Sequence, residues 1–138
     1  MQSMQRKTMA RNKMLQEFAE AVDITNEELH DIIQPQNVNK RVAKWFYGTG
    51  IFTRNITPLQ KVVHEGLWDY IPLLIENGAD VNFKDKHSKN MTVLHDMSTH
   101  NYKTAPSREI VEMLLSKKNI NSQTIQGHTP LYYAIRSG

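Results

Sequence analysis

The spacing of apolar side chains along the chain predicts pairs of short helices that recur. Apolar positions within residues 71–75 fall at i, i+3 and i+4, which places them on one face of a helix. Residues 111–115 repeat this spacing. A shorter apolar face precedes each of them, in residues 59–63 and 94–97, and another appears in residues 131–135. Helix pairs of this length cannot bury their apolar faces alone, so the pattern predicts units that stack on one another.

Threonines and prolines mark where these helices begin. Thr57, Thr92 and Thr129 stand just before the first helix of successive units, where a hydroxyl can accept a hydrogen bond from a backbone N–H of the first turn. Pro58 and Pro130 occupy that first turn, where proline removes no helical hydrogen bond. The same residue types in the same order, unit after unit, indicate an internal repeat.

These blocks resemble the ankyrin repeat. The family pattern is T-P-L-H, a short helix, a turn, a V-x-x-L-L helix, G-A-D-V-N and a β-turn finger. Residues 57–85 match one full repeat, residues 92–124 match a second, and residues 127–138 match the opening of a third. The resemblance implies an all-α fold, namely an ankyrin-repeat solenoid of stacked helix-turn-helix units with β-turn fingers.

The family pattern fades before Thr57, where helical packing is still predicted. Amphipathic spacing predicts a helix over residues 9–22, a second after a capping-box start at residue 25, and a third over residues 38–47. Four large apolar side chains are expected to seal the first full repeat: Trp45, Phe46, Ile51 and Phe52.

The chain therefore divides into five predicted segments. The repeat boundaries follow the threonines that begin each unit. The segments are a flexible basic N-terminus (1–8), a helical N-terminal cap with a degenerate repeat (9–56), an ankyrin repeat (57–91), an ankyrin repeat with an insertion between its helices (92–126) and a partial ankyrin repeat (127–138).

Two departures from the family pattern deserve a prediction. Residues 100–107 lengthen the second repeat between its helices. Exposed loops on a rigid scaffold often bind partners, whereas a neutral insertion in a surface loop costs little, and the sequence leaves both interpretations open. Gln60 and Tyr132 stand where the family has histidine, which predicts weaker local hydrogen bonding at both places.

The charge distribution leaves a nucleic-acid partner open. The chain has 17 Lys and Arg against 14 Asp and Glu, with a net charge of +3. One stretch, residues 6–13, carries only positive charges: Arg6, Lys7, Arg11 and Lys13. These side chains could contact phosphate groups. Chain termini are commonly polar and solvated, however, and we favour that interpretation.

Composition and motifs do not indicate an enzyme. The chain has no cysteine, which excludes disulfides, thiolate metal ligands and thiol catalysis. Its six histidines lack the spacing of a metal site, and His95 occupies a position where the family uses histidine structurally. Residues 48–50 lack the later glycine and lysine of a phosphate-binding loop. We therefore predict no catalytic residue, no metal ion and no cofactor.

The location and the end of the chain carry further expectations. No apolar run is long enough to span a bilayer and no secretory signal is visible, so we expect an intracellular protein, cytoplasmic or nuclear, without a membrane partner. The last unit stops after its first helix, which would expose Leu131, Tyr132 and Ile135. Either the chain is a fragment of a longer protein, which we favour, or a partner or a second copy completes the stack.

The resemblance implies a non-catalytic protein–protein interaction module that acts as an adaptor, scaffold or inhibitor. Partners of this family bind the concave face formed by the fingers and the first helices. Equivalent positions Lys61, Asp96 and Tyr133 are expected to line one ladder there, with Tyr102 and Tyr133 as aromatic anchors. The alternatives are a nucleic-acid-associated protein that uses its basic N-terminus, or the regulatory ankyrin part of a longer enzyme. The predicted partner contacts are Lys61, His64, Glu65, Phe83, Lys84, Lys86, His87, Asp96, Thr99, His100, Tyr102, Tyr133 and Arg136, with Lys89, Asn90, Gln123, Ile125, Gln126 and His128 as further finger positions.

Overall fold

Short helices joined by turns make up most of the regular structure. The computed structural model describes residues 2–48, 53–99 and 102–137. Single 3₁₀ turns lie at Trp68–Tyr70 and Lys86–Ser88. In chain order the elements are α1 (Gln2–Ala21), α2 (Asn26–Ile32), β1 (Val42–Tyr47), β2 (Arg54–Ile56), α3 (Pro58–Glu65), α4 (Ile71–Glu76), α5 (Val93–Thr99), α6 (Arg108–Leu114) and α7 (Pro130–Ser137).

The helices stack in two layers, which confirms the predicted solenoid. Helix α5 packs between α3 and α7 in one layer, and α6 packs on α4 in the other. Leu74 and Leu114, at equivalent positions of successive second helices, are both fully buried. The apolar stripe of residues 71–75 therefore joins Ile110 and Leu114 in one continuous core between stacked units. Leu115, which the sequence placed in the second stripe, is 38% exposed, because the helix ends at Leu114.

Local capping explains where α3 begins and ends. The Thr57 hydroxyl accepts a hydrogen bond from the Gln60 N–H at 3.4 Å, and the Gln60 side chain accepts one from the Thr57 N–H at 2.8 Å. This reciprocal pair satisfies two N–H groups that have no partner within the helix. Gly66 ends the helix with a φ of 70°, which L side chains rarely adopt. The expectation that Gln60 weakens the local hydrogen bonding is thus wrong, because its amide replaces the histidine ring in the cap.

Helix α1 begins earlier than the sequence predicted. It starts at Gln2 because residues 2–14 contain no proline or glycine and are rich in strong helix formers such as Gln, Met, Arg and Lys. The basic side chains within residues 1–8 therefore belong to a helix and not to an irregular terminus. The last turns of α1 are the part that packs, since Phe18 is fully buried and stacks on Tyr70 with ring centroids 4.4 Å apart.

The predicted helix over residues 38–47 is wrong. Strand β1 lies there instead and pairs antiparallel with β2. The β-branched and aromatic side chains of this stretch favour an extended backbone, and the partner strand comes from a segment that helical spacing does not reveal. β1 carries an irregularity after Val42, where the Asn55 side-chain amide donates to the carbonyls of Ala43 at 3.0 Å and Trp45 at 3.3 Å.

The aromatic residues of β1 separate onto its two faces. Trp45 is buried and donates from Nε1 to the Val22 carbonyl at 3.2 Å. Phe46 points the other way, as successive strand residues do, and is 55% exposed. The expectation that Phe46 seals the first repeat is therefore wrong. Ile51 and Phe52, named with it, lie outside the described residues.

Asparagine side chains join neighbouring parts of the stack at two places. Asn39 donates from Nδ2 to the Gly78 carbonyl at 2.9 Å and accepts from the Asp80 N–H at 2.7 Å. In the following unit Asn82 accepts a hydrogen bond from the Ser116 hydroxyl. Both asparagines therefore link one part of the stack to the next through a side-chain hydrogen bond. The degenerate N-terminal repeat stays a prediction.

The described part of the insertion, residues 102–107, folds back onto the first repeat. The Tyr102 hydroxyl donates to the Val63 carbonyl at 2.7 Å, and its ring packs edge-on against Trp68 with centroids 4.7 Å apart. Trp68 in turn donates from Nε1 to the Thr104 carbonyl at 2.8 Å. The insertion thus adds packing between the two repeats.

Helix α7 leaves one apolar face exposed, as the sequence predicted. Leu131 is 66% exposed and Ile135 is 72% exposed, while Tyr132 is exposed to a smaller degree. The opposite side of α7 packs on α5, and Pro130 at its start is buried. The third unit is therefore joined to the stack through one side of its first helix.

Candidate functional site

A groove of about 540 Å³ lies where the β1–β2 hairpin, α3, the first finger and the start of α5 meet. We define the first finger as residues 83–91. Because four separate segments contribute side chains, the shape of the groove depends on the tertiary fold. The residues that line it are Phe46, Tyr47, Gly48, Arg54, Gln60, Lys61, His64, Glu65, Ser88, Met91, Thr92 and Asp96.

Two pairs of basic and acidic side chains form the helical side of the groove. Lys61 Nζ lies 2.6 Å from Glu65 Oε1, one helical turn away. His64 Nδ1 lies 3.4 Å from Asp96 Oδ2, which links α3 to α5. Each carboxylate therefore has a basic group beside it, and these pairs span the first helices of two successive repeats.

Tyr47 and Arg54 form the hairpin side of the groove. The Tyr47 hydroxyl donates to the Gln60 carbonyl at 2.7 Å, and its ring centroid lies 4.1 Å from that of His64. Burial raises the pKa of Tyr47 above its ordinary value, so the hydroxyl stays protonated and keeps donating. The Arg54 guanidinium lies 5.6 Å from the centroid of the Tyr47 ring and donates to the Ser88 hydroxyl at 3.3 Å. The hairpin is thus tied to both α3 and the first finger.

Asp85 holds the first finger in place. Its buried carboxylate accepts hydrogen bonds from Arg41 at 2.8 Å, from the Gln60 amide at 2.6 Å and from the His87 N–H at 2.9 Å. Its backbone forms an isolated antiparallel bridge with Met91 across the finger. Burial alone would raise the pKa of Asp85, but these hydrogen bonds together hold the pKa below its ordinary value. One ionised carboxylate therefore joins the finger to α3 and to the segment before β1.

The outer surface of the first finger is basic. The predicted contacts Lys84, Lys86 and His87 are exposed there, together with Lys89. In the described part of the chain none of these lysines forms an ion pair. Asp85 is the acidic residue within the finger, and it points inward to its own hydrogen bonds. The exposed charge of the finger is therefore positive.

Comparison with known proteins identifies the repeated unit. A family model that describes ankyrin repeats in three copies matches residues 59–138, which is more than half of the chain. The chain belongs to the ankyrin repeat family. Its two stacked helical layers and its finger hairpins are accordingly those of an ankyrin array.

Two relatives share the ankyrin repeats but are much longer. The chain is 32% identical over 90 residues to the ankyrin repeat protein OPG189 of Variola virus. This alignment covers 63% of this chain and 15% of that protein. It is also 32% identical over 90 residues to the probable 26S proteasome regulatory subunit p28 of Saccharomyces cerevisiae. This second alignment covers 64% of this chain and 36% of that protein. No solved structure matches the chain. The similarity therefore concerns the ankyrin repeats and not the whole of either relative.

Part of the predicted ankyrin contact surface is brought together in the groove. Lys61, His64, Glu65 and Asp96 all line it. Lys61 and Asp96 of the predicted ladder therefore share one surface. Tyr133, the third member, lies outside the groove and packs edge-on against neighbouring rings.

Other predicted contacts pack within the ankyrin scaffold. The Tyr102 hydroxyl is bonded to the first repeat, and burial raises its pKa above the ordinary value. Phe83 is half-buried, with the Arg41 guanidinium 5.5 Å from its ring centroid. The Thr99 hydroxyl donates to the Asp96 carbonyl at 2.8 Å within α5. These contacts stabilise the array whether or not a partner is bound.

The remaining predicted contacts lie near the last helix or outside the described residues. Arg136 donates from Nη1 to the Tyr132 hydroxyl at 3.1 Å, and His128 stacks on the Tyr132 ring with centroids 3.9 Å apart. Ile125 in the second finger is 69% exposed. His100 lies outside the described residues. The other second-finger positions, Gln123 and Gln126, are exposed.

Sequence reasoning missed the groove residues contributed by the hairpin and the base of the first finger. It assigned a helix to residues 38–47, so Phe46, Tyr47 and Arg54 had no predicted place beside α3. A signal was present, since a run of β-branched and aromatic residues that ends at a glycine is typical of a strand before a turn. Ser88 and Met91 carried no comparable signal, because their position depends on how the finger folds.

His95 has the structural role that the sequence assigned to it. Its Nδ1 accepts a hydrogen bond from the Thr92 N–H at 3.1 Å, so Nε2 carries the proton and donates to the His128 carbonyl at 3.0 Å. Burial lowers the pKa of His95. Within the described ranges, no group of three or more His, Cys, Asp or Glu residues is placed to hold a metal ion. The same ranges contain no helix with the length and hydrophobicity to cross a membrane.

Proposed function

We propose that this chain is a non-catalytic interaction module that binds another protein through the groove. Ankyrin repeats are in general protein–protein interaction modules. The observation that carries the proposal is the groove itself, in which Phe46 is 55% exposed beside a wall of polar side chains. An exposed aromatic side chain next to hydrogen-bonding groups is the composition that favours a binding hot spot.

The rigidity of the groove walls supports this proposal. Asp85 fixes the first finger through three hydrogen bonds, and Tyr47 fixes the hairpin to α3 through one. A surface that is already ordered loses less conformational entropy when a partner binds. The groove residues Lys61, His64 and Asp96 are therefore the contacts that we place at the centre of the interface.

The proposal allows for a partner longer than the groove. Tyr133 and Arg136 lie on α7, two helices along the same layer from α3. A partner that extends along this layer would reach them after the groove, as the predicted ladder requires. We propose an adaptor, scaffold or inhibitor role in the cytoplasm or nucleus. Because the chain spans 15% and 36% of its relatives' lengths, it can equally serve as the ankyrin part of a longer protein.

Affinity capture from cell lysate tests the proposal. We would compare the parent, Phe46→Ser in the groove and Met113→Ser on α6, where Met113 is 43% exposed and outside the groove. Both variants replace one exposed apolar side chain, so they are matched. We expect a protein that is retained after nuclease treatment, lost with Phe46→Ser and kept with Met113→Ser. Capture that vanishes with nuclease would instead support the nucleic-acid alternative, and equal capture by both variants would remove the groove from the interface.

A further inference from the structure

Within the described part of the chain, Arg54 is the groove cation that has no carboxylate beside it. Lys61 is paired with Glu65, and His64 lies beside Asp96. Among the described residues, Arg54 forms no ion pair, and its Nε is buried with no hydrogen-bond partner. The Ser88 hydroxyl is a neutral acceptor at 3.3 Å. The guanidinium therefore carries a positive charge that no carboxylate of the described residues offsets on the hairpin side of the groove.

The charge of Arg54 continues onto the first finger. Ser88 connects the two, because it receives the Arg54 hydrogen bond and lies between the exposed Lys86 and Lys89. Asp85 cannot offset this charge, since its carboxylate is buried against Arg41. One positive strip thus runs from the groove onto the outer surface of the finger.

Apolar groups lie beside this positive strip. Phe46 is 55% exposed and lines the groove together with Met91 of the finger. A single-stranded nucleic acid would use the lysines and Arg54 and could stack a base on Phe46, but it would have little use for the thioether side chain of Met91. A peptide that carries both carboxylates and apolar side chains would use all of them.

We propose that the groove and the first finger bind an acidic peptide segment of a protein partner, with a partner carboxylate on Arg54, further carboxylates on Lys86 and Lys89, and an apolar side chain against Phe46 and Met91. This inference rests on the proposed function and names the chemistry of its partner. Because no described carboxylate pairs with the Arg54 guanidinium, a partner carboxylate can form a charge-assisted hydrogen bond with it.

Selection from a phage-displayed library of random 12-residue peptides on the full chain tests this inference. Enriched peptides are then synthesised with a fluorescent label, and their Kd is measured by fluorescence anisotropy. Arg54→Gln removes the positive charge on the hairpin side of the groove, and Lys86→Gln with Lys89→Gln removes two positive charges from the finger. Lys117→Gln with Lys118→Gln is the matched control, because both lysines are exposed after α6 and outside the groove. Circular dichroism melting checks that each variant is folded.

We expect the enriched peptides to combine several Asp or Glu residues with an aromatic or large aliphatic residue. Arg54→Gln should raise the Kd about tenfold or more, and the finger variant should raise it severalfold and weaken its salt dependence. The control should leave the Kd unchanged. If Arg54→Gln does not fold, the finger variant alone still decides the outcome.

Three results would overturn the inference. These are no enrichment of any peptide, enriched peptides without acidic residues, or a Kd that changes neither with Arg54→Gln nor with the finger variant. A single-stranded oligonucleotide of 20 nucleotides is measured in the same way. If it binds more tightly than the selected peptides and its binding depends on the same lysines, the positive strip is a nucleic-acid site. If the peptide experiment fails but a protein is still captured from lysate in a Phe46-dependent way, only the acidic-peptide inference is refuted. If the lysate capture fails as well, the proposed function is also refuted.

Discussion

Gln60 and His95 perform the same task at equivalent positions of two repeats. Each accepts a hydrogen bond from the threonine N–H that begins its helix, and each uses its second polar atom to reach another segment. Gln60 donates to Asp85, whereas His95 donates to the His128 carbonyl. The two side chains differ in one property, since only the imidazole can titrate near neutral pH.

The first prediction concerns the pH dependence of His95. Its pKa in the folded protein is lowered by burial, so the unfolded chain binds the proton more readily, and stability is lost as pH falls below the ordinary histidine value of about 6.5. His95→Gln should keep the helix cap, as Gln60 does, and should lose less stability than the parent between about pH 7 and pH 5. Urea unfolding at several pH values measures this. Parallel curves for parent and variant would contradict the neutral buried state of His95.

The second prediction concerns the buried carboxylate of the first finger. Arg41→Met should lower the free energy of unfolding by about 3 kcal/mol, because it leaves the charge of Asp85 buried without its ionic partner. Urea unfolding compares it with Arg108→Met, which breaks an exposed pair with Glu112 and should change stability little. Equal effects of the two variants would mean that the Asp85 network does not hold the finger.

At the scale of elements, local signals predicted the helices and failed for the hairpin. Helix α3 was predictable because its cap, its apolar stripe and its terminal Gly66 all lie within a few residues. Strand β1 pairs with β2, and its irregularity is held by the Asn55 amide, so its stability depends on contacts that no local period reveals. The hairpin side of the groove was therefore not predicted either, since Tyr47 and Arg54 belong to the hairpin.

The third prediction tests the register of the stacked helices. Leu74 is fully buried, so Leu74→Asp would place a charge between α4 and its neighbours and should cost several kcal/mol of unfolding free energy. Leu131→Asp is the matched control, because Leu131 is 66% exposed and the same substitution there should change stability little. Circular dichroism melting measures both. A Leu74→Asp protein that melts like the parent would refute the repeat register.

The fourth prediction separates backbone strain from crowding at the end of α3. Gly66 and Gly127 have φ values of 70° and 82°, so alanine is strained at both. A Cβ at Gly66 would lie 3.0 Å from the Tyr102 ring, whereas no atom of the described residues lies within 4 Å of one at Gly127. Gly66→Ala should therefore destabilise by about 2 kcal/mol and Gly127→Ala by about 1 kcal/mol in urea unfolding. Equal losses would mean that the insertion does not pack on the first repeat.

At the scale of the whole molecule, the groove depends on contacts between units that are distant in sequence. Arg41 precedes β1, Asp85 lies in the finger and Gln60 lies on α3, yet their side chains meet in one network. The family resemblance predicted the stacked scaffold and the helical side of the groove, through Lys61 and Asp96. It could not predict the opposite wall, because the N-terminal hairpin departs from the ankyrin pattern.

The measurement that tests the central claim most directly is site-specific photo-crosslinking in cells. A benzophenone amino acid replaces Phe46 in the groove or Met113 on α6, both of which are exposed apolar positions. We predict a nuclease-resistant protein adduct from position 46 and none from position 113. Equal adducts from both positions, or an adduct from position 113 alone, would contradict the claim that this ankyrin protein binds its partner through the groove.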